Sequence, residues 1–120
     1  MANIKIDPAQ LFSVHFVADL PLDWQVIRIR QGVEIVIVSG STTTKPPPPP
    51  DVAEVPTSNF VAGDTFKWTA DLFAPPTAAA NYTLNVSVSQ GGHTIATDGP
   101  RKGNIAANGD KVESGSFACV

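Results

Sequence analysis

The sequence predicts an all-β fold: an antiparallel two-sheet sandwich, broadly immunoglobulin-like, of seven to eight strands. Three observations lead there. From Thr65 to Leu72 and from Asn81 to Ser89, every even position is apolar and every odd position polar. A period of two sends alternate side chains to opposite faces of a strand, so each stretch is a half-buried strand. Turn signals recur at roughly ten-residue intervals, and no segment carries a convincing helical period. The two alternating stretches, joined by residues 74–80, are expected to supply the heart of the core: Phe66, Trp68, Leu72, Tyr82, Leu84, Val86 and Val88.

A chain of 120 residues with 42% hydrophobic content is long enough for one domain with a real core. Charged residues make up only 16%, so Thr, Ser, Asn and Gln must carry much of the solvation. A net charge of −3 with eight Lys and Arg leaves no electrostatic footprint for a phosphate backbone, and nucleic acid is not an expected partner. Cys119 is the single cysteine, which excludes an intrachain disulfide and a cysteine-based zinc site; it reads as a small apolar residue of the last strand. Residues 1–8 show no secretory pattern. The longest apolar run, Val33 to Val38, is interrupted by Glu34 and too short to span a bilayer. Cytosolic synthesis without membrane insertion is expected, with later incorporation into a particle or release left open.

Taken in order, residues 3–6 alternate and suit a short strand. Asp7-Pro8 ends it and suits a helical turn through Leu11. Phe12, Val14, Phe16 and Ala18 share one face of a strand over 11–18, and Pro21 lies in the turn that follows. Trp24 to Arg30 and Val33 to Ser39 flank Gln31-Gly32 as a hairpin. Both of its faces are apolar: Ile27 and Ile29 oppose Trp24 and Val26, while Val36 and Val38 oppose Val33, Ile35 and Ile37. Apolar residues on both faces imply a strand covered on both sides, by a loop, a second subunit or a partner. Trp24, Val26, Ile27, Ile29, Val36 and Val38 are therefore the leading interface candidates.

Residues 40–59 form a proline-rich loop or arm. Pro46, Pro47, Pro48, Pro49 and Pro50 favour a polyproline rod of about 15 Å, from ~3.1 Å per residue. It reads foremost as a stiff connection that crosses between sheets or projects from the body, and it joins the hairpin as a contact candidate. Its flanks do not match a proline-recognition ligand, since Asp51 stands where a second proline is needed. Downstream, Gln90-Gly91-Gly92, Asp98-Gly99-Pro100 and Asn108-Gly109 are turn signals around strands at 93–97, 103–107 and 111–120. Gly115 suits a bulge in the last of these.

Catalytic chemistry finds little footing. There are two histidines, no nucleophile elbow, no calcium loop and no glycine-rich phosphate loop before a helix. The eleven acids are scattered without a selected pair. No catalytic residue, cofactor or metal is expected. The reading is a non-catalytic structural or interaction protein, a subunit of a homo-oligomer or larger ordered assembly of shell, fibre or decoration type, whose partner is itself or another subunit. The alternative is a carbohydrate-binding, lectin-like sandwich. In that case Trp24 would stack on a sugar while the neutral, amide-rich row Asn81, Thr83 and Asn85 met its hydroxyls, because uncharged groups cost less to desolvate than charges.

Overall fold

In a computed structural model, which describes residues 2–41 and 51–120, the chain runs through nine strands: β1 (Ala2–Ile4), β2 (Phe12–Ala18), β3 (Leu22–Arg30), β4 (Val33–Ser41), β5 (Asp51–Val55), β6 (Thr65–Phe73), β7 (Ala80–Gln90), β8 (His93–Ile105) and β9 (Asp110–Cys119). The only helical piece among these residues is a 3-10 turn at Thr57–Asn59. One sheet has the order β1-β9-β6-β3-β4 and the other β5-β2-β7-β8. All pairings are antiparallel except β1 with β9. The two-sheet sandwich anticipated from the alternation is the fold observed.

The two alternating stretches, β6 and β7, lie in opposite sheets, so residues 74–80 carry the chain across the sandwich rather than closing a hairpin. Their apolar faces meet in the middle. Phe66, Trp68, Leu72, Tyr82, Leu84, Val86 and Val88 are all buried, with Phe12, Phe16 and Phe117 filling the remaining space. Edge-to-face contacts join Phe12 to Phe66 at 5.6 Å and Phe16 to Trp68 at 6.3 Å, the geometry that aromatic quadrupoles favour.

Several sequence expectations are corrected. Residues 7–10 form a hydrogen-bonded turn held by Gln10 N–H on Asp7 O at 3.2 Å, and no helical turn extends through Leu11. The arm drawn over 40–59 contains a strand at its far end, β5, because Val55 and Ala53 bury against β2 opposite Phe12 and Val14. Pro46 to Pro50 lie outside the described residues. Asp98-Gly99-Pro100 does not end a strand: β8 runs through it, with Gly99 and Pro100, joined by a cis peptide, set against Asn85 as a bulge. Gly115 marks no bulge, since β9 pairs with β6 in unbroken register from Thr65↔Ala118 to Phe73↔Asp110. A Cβ at Gly115 would run into the Asp98 carboxylate and the Trp68 indole.

That close approach belongs to a polar clasp along the side where β8 faces β9. Trp68 Nε1–H donates to Asp98 Oδ2 at 3.2 Å, and the Arg101 guanidinium lies 5.4 Å from the centre of the Trp68 ring. Arg101 pairs with Asp98 at 3.0 Å and approaches Glu113 at 3.7 Å, while the Tyr82 hydroxyl donates to Glu113. Burial, with Glu113 beside it, pushes the Tyr82 phenol up to about 12. Trp68–Asp98, Tyr82–Glu113 and Arg101–Glu113 join the facing sheets, and Arg101–Asp98 adds a pair within β8. Paired in this way, the groups avoid the cost of an unpartnered polar atom in a low-dielectric setting.

Candidate functional site: the β3–β4 hairpin and its edge

The hairpin closes on Gln31 and Gly32, with φ of 52° and 78°. Positive φ at both central residues is the mirror-image turn whose twist matches paired strands. From Leu22 to Val26, β3 alternates inward against β6, with Leu22, Trp24 and Val26 opposite Leu72, Ala70 and Trp68. On β4, Gly40 and Val38 face Trp24 and Val26, but the next pair is Ile27 with Val36. Ile37 is therefore an extra residue, a bulge, and it reverses the phase of β4. Val36 and Val38, which simple alternation puts on one face, lie on opposite faces. The doubly apolar pattern of this strand thus has a local cause as well as an unfilled surface.

The expected interface residues separate accordingly. Val26 is fully buried in the inter-sheet core and Ile27 is 5% exposed on the outer face, so both are covered within the chain itself; the sequence grouped them with the contact candidates because alternation gives a face but not what covers it. Trp24 is half-buried and stacks on Phe16, with ring centroids 5.4 Å apart and planes 16° apart. Its indole also crosses Gly40, where a Cβ would have no room. Ile29 and Val38 are half-buried. Val36 remains 49% exposed, joined by Val33 at 58% and Ile35 at 44%. Val33 and Ile35 were missed as candidates because what exposes them is their place on an edge strand, which periodicity does not encode.

Charge pins the hairpin from the rear. Arg30 holds Asp64 with two bonds of 2.8 Å, and Asp64 also accepts the Val61 N–H at 2.8 Å. The Arg30 guanidinium holds the Asp64 carboxyl below the usual carboxylate range against the opposing effect of burial. Arg28 Nη1–H donates to Asn59 O at 3.1 Å. On the outer face, Lys67 meets Glu34 at 3.2 Å. Glu34 is the one charged residue of β4.

The alternative ligand face does not come together. Asn81, Thr83 and Asn85 lie on the outer side of β7, in the sheet opposite the one that carries Trp24, and the Trp24 ring points into the sandwich. Asn81 accepts from Asn104 Nδ2 at 2.8 Å, and the Thr83 N–H donates to Asp19. A cleft of about 530 Å³ opens elsewhere, between the loop after β1 and the β7–β8 turn, with Lys5, Ile6, Gln90, His93 and Ile95 in its walls. On the outer face of the five-stranded sheet, burial first and then Asp110 and Asp23 raise the Asp71 carboxyl to about 6. Among the described residues no group of three or more His, Cys, Asp or Glu side chains is placed to hold a metal ion. Cys119 is buried, and its thiol is pushed up to about 11 by that burial, far from the range of a reactive thiolate. Among the described residues no helix is long and apolar enough to cross a membrane. No protein-family model, curated protein or solved structure matches the chain.

Proposed function

We propose that this protein is a non-catalytic structural or interaction protein, a subunit that assembles through its β3–β4 hairpin. The observation that carries this reading is the edge of β4. Val33 and Ile35 on one face and Val36 on the other are exposed on a strand that, among the described residues, stands last in the sheet order with no neighbour on its outer side. Exposed β-branched residues on an open edge are a template for another strand, and natural proteins blunt such edges unless they use them. The arginine contacts to Asp64 and Asn59 support the same reading, because they hold the hairpin in place before any partner arrives and so reduce the ordering cost of association.

The reading is tested by the native mass of the chain in an extract of its source. The wild type is expected to travel well above its own 12.6 kDa, and Val36→Lys near it. Equal, monomeric masses for the two would overturn the proposal.

A further inference from the structure

We infer that the strand added to β4 is β4 of a second copy of this chain, antiparallel across a two-fold axis, so that the five-stranded sheet runs on into its copy and the assembly closes as a dimer. The inference rests on the hairpin reading above and names its partner.

The four sheet edges are unequal. β1 has three residues and β5 five. β8 has thirteen, but it is irregular at two places, carries Pro100 with no N–H to donate, and follows it with the charged pair Arg101-Lys102 and with Gly103. Those are the devices that stop a strand from pairing. β4 has nine residues, no proline and no Lys or Arg.

Charge selects a copy over a foreign chain. In a two-fold contact each side chain meets itself or its near neighbours, so a charged edge repels its own image. The single charge of β4, Glu34, already has Lys67 at 3.2 Å. Directly opposed residues of an antiparallel pair share a face, so the axis must pass at a residue and not between two. With the axis at Ile35 or Val36, β-branched side chains face their own copies at ~5 Å between Cβ atoms. The two Glu34 carboxylates are then two or four positions out of line. Among the described residues of this edge, an acidic or basic partner segment finds no free counter-charge.

The exposed residues also gather at one end of the strand. Val33, Ile35 and Val36 adjoin the hairpin turn, while Ser39 and Ser41 are polar and lie at the end from which the chain leaves towards β5. A contact centred at 35–36 covers the apolar half. Because such a contact uses the same edge on both copies and the remaining edges are short or obstructed, it closes on itself and builds no filament.

The test uses the purified full chain. Sedimentation across a wide concentration range is expected to show a reversible species of twice the 12.6 kDa chain mass, and Val36→Lys is expected to raise the dimer dissociation constant at least ~10-fold. Under mild oxidation, Ile35→Cys or Val36→Cys should form a disulfide-linked dimer at least ~10-fold faster than Ser39→Cys, which is exposed on the same strand but away from the axis. Buried Cys119 stays in place in all three variants, and an unchanged melting temperature at high dilution guards against misfolding. A monomer at every concentration would overturn the second-copy inference, leaving the hairpin reading to stand or fall on the extract measurement. Masses above the dimer would overturn closure while supporting assembly. Equal cross-linking at all three positions would overturn the two-fold register.

Discussion

The two long sides of the sandwich solve the same problem in opposite ways. Where β8 faces β9, the sheets are stitched by charged and polar groups: Asp98, Arg101, Glu113, Tyr82 and the Trp68 indole. The strand at that side is bent by two irregularities and interrupted by Pro100. Where β4 runs past β5, no comparable network joins the sheets among the described residues, and β-branched side chains face outward. A polar clasp is intolerant of change, because each member leaves a partner stranded when it goes. An exposed apolar edge is tolerant, because little within its own chain depends on it. The clasped side is thus committed to stability, and the bare side carries little of it.

Four substitutions would sharpen or break this contrast. Trp68→Ala removes the largest fully buried side chain and the donor to Asp98 together; denaturant unfolding should show a loss of about 3–5 kcal/mol. Gly115→Ala forces a methyl group against Asp98 and Trp68 without removing any group, and the same measurement should give about 1–3 kcal/mol. A Gly115→Ala chain as stable as wild type would mean that the clasp is loose.

Between the two sides, Asp71 titrates in the direction opposite to a salt-bridged acid. Its folded value of about 6 lies above the ordinary 3.8, so the folded chain keeps a proton that the unfolded chain has released. Stability from this group is full below about pH 4 and falls as pH rises through 4 to 6. Asp71→Asn should therefore stabilise by about 1 kcal/mol at pH 7, with the gain fading towards pH 4. An equal gain at both pH values would mean that charge is not the cause. The smallest effect belongs to Ile35→Lys on the bare side. The unfolding energy of the diluted chain should stay within about 0.5 kcal/mol of wild type, and a drop comparable to that of Gly115→Ala would erase the distinction between the sides.

Much of the fold was legible because alternation is a backbone property. Phe66 to Leu72 and Tyr82 to Val88 could face a core only as strands. What alternation does not carry is which strands pair, so nothing in it places β6 and β7 in opposite layers. Asp98-Gly99-Pro100 has the composition of a turn, yet an edge strand can absorb an extra residue and a missing donor, and β8 continues. The hairpin was visible as an anomaly, with both faces of Trp24 to Val38 apolar. Its resolution was not visible: Ile37 shifts the phase, Val26 and Ile27 are covered, and the residues left open are Val33, Ile35 and Val36. Edge position comes from long-range pairing, for which a single sequence holds no local signal. The clasp was equally hidden, since Trp68, Asp98 and Glu113 meet only once the two sheets are stacked.

One detail of the hairpin bears on how the chain finds its alignment. The run Val33 to Val38 is nearly self-similar, and sliding β4 by two positions against β3 would keep every apolar side chain on an acceptable face. Slippage is the ordinary fate of such repetitive strands. Gly40 forbids it. The Trp24 indole lies where a Cβ at this position would be, in the pair Trp24↔Gly40. A two-residue slide towards the hairpin turn would bring Val38 beneath the ring. The pairing is therefore keyed at the end of the strand remote from its apolar half, so a uniform, featureless edge can be offered in a single frame.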